Sequence, residues 1–350
     1  MAFEGNRFRN VRRKATSLRL ESVVKTGFLA SEDSTPLVIE PTVDNVKLAT
    51  WAMHNKAFIE EVLLKYGAIL FRNFNIKSAM RFEELARAIT PELLDYCERS
   101  SPRTELSRGI YTSTDYPADQ IIQFHNEQSY SHSWPMKLWF FCERTAEQGG
   151  ATPIADCRKV FRRLDRKLRD RFIDKKVLYL RNYGNGLGLS WQTAFQTNDK
   201  VKVENYCRRS GIGFKWKVNN GLQTRQVFDA IVGHPKTREL IWFEHVAFFH
   251  ISSLEPSIRE TLLSNLDEED LPFNTYYGDG APIEASVLDE IREAYRQVAV
   301  RFAWEEGDVM LIDNMLTAHA REKYVGPRKI VVAMAELLLK SGAYCCEATP

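Results

Sequence analysis

Five consecutive apolar residues, Leu138-Trp139-Phe140-Phe141-Cys142, restrict the fold of this chain more than any other stretch. Neighbouring side chains on a strand point to opposite faces, so a strand with no polar position has to be covered on both sides. A lone sheet with one wet face is excluded, and a layered core is required. With 350 residues, 44% of them hydrophobic and 11% aromatic, the chain has the material to build one. Lys and Arg total 48 against 46 Asp and Glu, so the net charge of +2 gives no reason to expect a nucleic-acid partner. The six cysteines (Cys97, Cys142, Cys157, Cys207, Cys345 and Cys346) form no CxxC and no framework spacing. That pattern suits a reducing, cytoplasmic setting. No apolar run approaches the roughly 18 residues of a membrane span, and the N-terminus lacks the apolar core of a signal peptide.

Residues 1–30 read as a basic arm, with Arg7, Arg9, Arg12, Arg13, Lys14 and Arg19 and no acid between them. A single folded unit is expected over 36–345. Asp44 is placed to cap a helix carrying Leu48, Trp51, Ile59 and Leu63, which Gly67 ends. A short strand at Ala68 to Phe71 and a second helix from Ser78 to Ile89 follow, stopped by Pro91. Short extended segments then run from Tyr111 to Pro153, with a tight turn at Gly149-Gly150. Asp156 caps an amphipathic helix to about Lys175, with Val160, Leu164, Leu168 and Phe172 on one stripe. Eight Lys or Arg between 158 and 171 make its other face a solvated surface or a dock for an acidic partner. The stretch 182–250, rich in Gly and aromatics, reads as a long insertion with some strand content that folds over a site as a lid. Helices are expected from Pro256 and over 283–300, and strands at Asp308 to Ile312 and Ile330 to Leu338 close the chain.

Chemistry enters with His125-Asn126-Glu127. On an extended strand residues i and i+2 share a side, so His125 and Glu127 project together while Asn126 faces away. One imidazole and one carboxylate are two members of the facial triad that leaves positions open on a non-haem Fe(II) centre, although Zn or Mn would also accept them. A His-x-Glu alone is weak evidence. A second cluster strengthens it: Asp313 to Arg321, which contains His319, followed by Gly326-Pro327-Arg328. His319 can supply the third ligand. Arg328 opens the last strand, where its guanidinium can hold a distal carboxylate through two parallel hydrogen bonds, and Thr152 can add a hydroxyl donor.

The runs Tyr111 to Pro117, His125-Asn126-Glu127, Ser129-Tyr130-Ser131, Gly149 to Asp156, and Gly307 through Arg328 together resemble the taurine dioxygenase and clavaminate synthase superfamily, and within it the SyrP-like branch. The resemblance extends from about Gly67 to Glu336. It implies a mainly β (α+β) fold with flanking helices, a double-stranded β-helix (jelly-roll) core and the lid-like insertion. It further implies Fe(II) on His125, Glu127 and His319, 2-oxoglutarate held by Arg328 and Thr152, and O2 as the second co-substrate; Arg321, two residues beyond His319, is placed to contact 2-oxoglutarate or substrate. The implied reaction couples oxidative decarboxylation of 2-oxoglutarate to removal of hydrogen from an unactivated C–H. A halogenase of this type would carry a small residue at position 127, so Glu127 favours hydroxylation.

Asn126, Ser129, Tyr130 and Glu244 are candidate contacts to an amino-acid-like substrate, which needs an acid for its ammonium. The substrate is a free amino acid or one tethered to a carrier protein, in natural-product biosynthesis, and a homo-oligomer is compatible with the chain. Desaturation or cyclisation, or a non-redox metalloenzyme on a similar barrel, are the alternatives. His132 is expected to face solvent, and His245 and His250 to pack or to face substrate, none of them binding metal.

Overall fold

The computed structural model describes residues 23–29, 35–95, 98, 103–114, 116–184 and 186–340. The basic stretch up to residue 22 and the adjacent Cys345-Cys346 lie outside them. The folded sheet begins earlier than expected from the sequence. Val24–Phe28 is already a strand, antiparallel to Leu37–Pro41, and belongs to the main sheet and not to an arm.

That sheet has eight strands in the order Val24–Phe28, Leu37–Pro41, Ala68–Phe71, Val309–Asp313, Ser133–Arg144, Lys329–Leu339, Ile110–Thr112, Glu105–Ser107. At its centre lies the all-apolar run, and the pleat divides it as the sequence demands. Trp139 and Phe141 enter a cluster with Trp51, Ile59, Leu63, Phe82 and Leu85 on the outer face. Leu138, Phe140 and Cys142 join Leu70, Ile154, Trp304 and Met310 on the inner face. Both faces are dry because helices cover one and a second sheet the other.

The outer helices are Leu48–His54, Lys56–Tyr66 and Ala79–Ile89. Ser78 caps the third, accepting from Arg81 N, and Gly67 ends the second at φ 76°, as read from the sequence. Asp44 does not cap the first; Lys47 occupies that position with no side-chain bond. The first stretch is also two helices, broken at Asn55, whose Nδ2 turns back onto Trp51 O at 2.7 Å. A like break splits the basic helix. Asp156 caps Cys157–Arg163, Leu164 leaves helical geometry at ψ 139°, and Asp165 caps Arg166–Lys175.

The second sheet of the jelly roll has three strands, Ile122–His125, Thr317–Arg321 and Ile154–Asp156, with Thr317–Arg321 central. The expected insertion is built on a third sheet of Gly213–Trp216, Leu222–Phe228, Val177–Tyr183 and Phe273–Tyr277. It therefore draws on strands flanking 182–250, and it delivers the short helix Val246–Phe249 to the edge of the second sheet. Among the described residues no helix is long and apolar enough to cross a membrane.

Candidate metal and co-substrate site

His125 is the last residue of its strand and sits in register opposite His319 on the central strand, their ring centroids 4.3 Å apart. Pairing thus brings together two imidazoles separated by nearly two hundred residues of chain. Glu127 reaches the same place by a different route from the one expected. The strand stops at His125, and a turn follows in which Gln128 has φ 57°. Ligand-capable atoms of His125, Glu127 and His319 nevertheless all lie within 4.8 Å of one another. Asn126 points away, as the i, i+2 pattern requires, with its amide on Asn314 O at 2.6 Å and Cys157 Sγ at 3.3 Å.

Asn314, fully buried, locks the turn. Its Oδ1 accepts from Glu127 N at 2.8 Å, and its Nδ2 donates to Glu127 O and Pro135 O, both at 2.9 Å. Asp313 Oδ1 accepts from Met315 N and Leu316 N, and its Oδ2 faces His234 Nε2 at 3.1 Å. Because His234 Nδ1 accepts from Lys236 N and Thr237 N, its proton resides on Nε2 and is donated to Asp313. The corner leading to His319 is thereby fixed at both carboxylate oxygens.

His125 Nδ1 faces Gln123 O at 2.8 Å, so the proton sits there and Nε2 keeps its lone pair. Burial lowers the pKa of His125, and burial with the neighbouring His125 holds His319 well below the ordinary histidine range. Both rings are neutral at pH 7, the form that a metal needs. His319 Nδ1 is buried without a hydrogen-bond partner among the described residues. Two neutral imidazoles and one carboxylate, converging in a dry site with a nitrogen unsatisfied, fit a divalent cation of the Fe(II) type. Phe140 packs edge-on against His319 at 5.1 Å, and His245 and Phe248 pack against His125 at 5.4 and 5.0 Å.

A second locus is built on Gly150. Arg328 Nε donates to Gly150 O at 2.9 Å and Nη2 to Thr152 Oγ1 at 3.2 Å. Gly150 sits at φ 71°, and a Cβ there would come within 3.0 Å of Arg328 Cδ, so the glycine is what admits the guanidinium. Burial pulls Arg328 down to about 10, still protonated at pH 7, and no carboxylate among the described residues pairs with it. A buried cation without a counter-ion is a receptor for an anion. Thr152 Oγ1 also accepts from Trp304 Nε1 at 2.9 Å. With both lone pairs engaged, the hydroxyl has its proton left to donate.

The family model for taurine catabolism dioxygenase TauD, TfdA family, matches residues 30–334. The chain belongs to the TauD/TfdA family. It is accordingly a 2-oxoglutarate-dependent dioxygenase that uses iron and O2. Among curated relatives, the dapdiamide synthesis protein DdaC of Enterobacter agglomerans is 39% identical over 278 residues, covering 79% of this chain and 84% of the relative. A clavaminate synthase-like protein of Arabidopsis thaliana is 27% identical over 292 residues, covering 80% and 85%. Among solved structures, PvcB of Pseudomonas aeruginosa superposes with a TM-score of 0.56 at 13% identity, covering 93% of this chain and 96% of PvcB. AAD-2 in complex with Mn(II) and N-oxalylglycine gives 0.53 at 14%, covering 89% and 96%. Those likenesses show the TauD-type jelly roll, here with no closed barrel among the described residues.

Several residues singled out in the sequence occupy other places. Arg321 donates to Tyr116 O, Pro117 O and Gln120 O at 2.6–2.9 Å and fastens that loop, and it lies with Arg328 against the Tyr324 ring, at 5.3 and 5.5 Å. Asn126 is spent on Asn314. Tyr130 is fully buried with its hydroxyl on Glu98 O. Glu244 accepts from Trp242 Nε1 at 2.6 Å and from Val246 N, beneath the surface. Burial pushes its carboxyl up to about 8, which disfavours the charged form that would pair with an ammonium. Ser129 stands one step back, bonded to His245 Nδ1 at 2.6 Å. His132 packs on Phe228. Residues the sequence reading assigned no role, Asn314, Trp304 and Arg103, hold the site residues. Arg103 Nη2 contacts Glu127 Oε2 at 2.6 Å.

Proposed function

We propose that this TauD/TfdA-family dioxygenase hydroxylates an unactivated C–H of an amino acid or amino-acid derivative, in the synthesis of a natural product. The metal would be held by His125, Glu127 and His319, and the distal carboxylate of 2-oxoglutarate by Arg328 and Thr152. The observation that carries the reading is the pairing of these loci: a neutral two-histidine, one-carboxylate cluster within 4.8 Å and a buried cation with no anion of its own. When bound, iron with 2-oxoglutarate and O2 supplies the oxidising equivalent, one oxygen atom leaving in succinate and the other going to substrate.

The chain's own residues bind, orient and exclude water. Arg328 and Thr152 fix the far end of the co-substrate, with Trp304 aiming the Thr152 hydroxyl. Asn314 keeps the His125–Glu127 turn in one shape. Phe140, Phe248 and the His245 ring wall the ligand cluster with apolar surface, which shields a reactive centre from solvent. Glu127, in place of a small residue, leaves no vacancy for a halide and supports hydroxylation.

The biosynthetic setting is supported by the relative DdaC, named for dapdiamide synthesis. The basic helices offer less to a carrier protein than their composition suggested. Arg158 is buried against Asp156 and Glu239, Arg166 meets Asp170, and Arg171 meets Glu284. Three of the eight basic residues are thus paired with acids, so the basic face is reduced but not abolished, and it is compatible with either a free or a carrier-tethered substrate.

The test is succinate formation from 2-oxoglutarate with Fe(II) and ascorbate, across a panel of amino acids, with mass spectrometry of the product. Stimulated succinate with a product heavier by one oxygen is expected. A product lighter by two hydrogens would replace hydroxylation with desaturation, and no stimulation by any amino acid or carrier-loaded aminoacyl group would sink the substrate class.

A further inference from the structure

Arg103 lies just ahead of the edge strand Glu105–Ser107, and its Nη2 donates to Glu127 Oε2 at 2.6 Å. Both side chains are almost fully buried, at 5% and 4% exposure. A guanidinium pressed against the carboxylate of a metal-facing cluster is unexpected on electrostatic grounds, since it brings a cation towards the place of another cation. We propose that Arg103 is a positioning residue that keeps Glu127 on the metal through a single oxygen, so that the 2-oxoacid finds two positions open. The proposal rests on the assignment of Glu127 as a ligand.

A carboxylate can grip a divalent cation with one oxygen or with two. Two imidazoles and a one-oxygen carboxylate leave three of six positions for a chelating 2-oxoacid and O2. A two-oxygen carboxylate leaves two, and chelation then occludes O2 or is itself blocked. In the structure Oε2 is committed to a short, charge-assisted bond in dry surroundings, while no described residue hydrogen-bonds Oε1. Swinging Oε2 onto the metal would strip Arg103 of that bond inside the protein, and breaking a buried ion pair is strongly unfavourable. The same pair has a cost for metal uptake, because the guanidinium draws charge from the ligand and repels the cation. Removing Arg103 should therefore act in opposite directions on the two binding steps. A residue that only packs would weaken both.

The experiment uses full-length protein without metal, under anaerobic conditions. Mn(II) alone is titrated and followed by the electron paramagnetic resonance of the free ion. 2-Oxoglutarate is then titrated into the Fe(II)-loaded protein and followed by the visible Fe(II)–2-oxoacid charge-transfer absorption. For Arg103→Gln we expect Mn(II) affinity equal to wild type or several-fold higher, and 2-oxoglutarate affinity lower by about tenfold, the usual scale for a residue that orients a ligand. Arg103→Lys, which keeps the charge and one donor, should recover most of the 2-oxoglutarate affinity. Parallel loss of both affinities, or no change in either, overturns the proposal. A structure of the wild-type protein with Mn(II) and 2-oxoglutarate gives a readout that needs no variant to fold. One Glu127 oxygen on the metal with Arg103 on the other is expected, and a two-oxygen Glu127 or a departed Arg103 refutes it. Wild-type protein that takes up no Mn(II) would instead overturn the ligand assignment beneath.

Discussion

Asn314→Ala separates holding the fold from holding the site. The side chain makes three bonds, to Glu127 N, Glu127 O and Pro135 O, and is fully buried, so water cannot replace them. Leaving a buried backbone group without its partner costs about 1–3 kcal/mol. The two carbonyls keep a second lone pair and sit at the low end, so the three losses together come to about 3–5 kcal/mol. Two of the bonds flank Glu127 itself, and freeing that turn lets the carboxylate drift from the imidazoles. Metal affinity should drop by about 10–100-fold, as for other residues that orient ligands. Phe82→Ala is the control. Phe82 is buried on the outer face, stacked on Phe141 at 5.5 Å, and its truncation removes about 3–5 kcal/mol without touching the site. Urea denaturation should show comparable losses for both variants, and Mn(II) titration should separate them. If Asn314→Ala, while still folded, binds Mn(II) as tightly as Phe82→Ala does, the turn is held by something else and the assignment is wrong.

Other perturbations test the remaining parts. Arg328→Met removes a buried cation that lacks a counter-ion, so the apo protein should melt no lower than wild type, while 2-oxoglutarate should no longer raise its Tm in a thermal shift assay. Thr152→Val should weaken 2-oxoglutarate binding by about tenfold, one charge-assisted bond's worth, and leave Mn(II) affinity unchanged when both are titrated. Glu244, with its pKa raised to about 8, stays protonated in the fold while the unfolded chain ionises above the ordinary carboxyl range near 4.5. Its contribution is therefore complete below pH 4.5 and lost as pH climbs towards 8. Glu244→Gln should flatten the stability-versus-pH curve across that interval in denaturant titrations, and an unchanged slope would place the pH dependence elsewhere.

What the chain disclosed on its own followed from local rules. A strand with no polar position had to be covered on both faces, and Trp139 and Phe141 pack outward while Leu138 and Phe140 pack inward. Ser78 and Asp156 cap, and Gly67 terminates, because each supplies a bond or a dihedral angle that its neighbours cannot. Arg321 shows where such rules fail. By strand parity it shares a side with His319, since the extra residue of the irregular pairing falls on the partner strand, yet its guanidinium is taken up by carbonyls of the 116–120 loop, an acceptor set that no local pattern announces. The Asn55 and Leu164 breaks were hidden because apolar spacing ran through both without interruption. Arg103 and Asn314 were hidden for a different reason. Their partner, Glu127, is 24 and 187 residues away, and nothing in one sequence marks a pairing made only by the completed fold. Glu244 looked like a free acid because burial is not visible in a residue's name.

His125, Glu127 and His319 are proposed to form one iron site served by Arg328. The most direct measurement is the Fe(II)–2-oxoglutarate charge-transfer absorption, recorded anaerobically for wild type, Glu127→Ala, His319→Ala and Arg328→Met, with bound iron counted in each. Wild type should carry one iron per chain and show a visible band, Glu127→Ala and His319→Ala should lose iron and band together, and Arg328→Met should retain iron without the band. Iron and band surviving in Glu127→Ala or His319→Ala would contradict the proposed site.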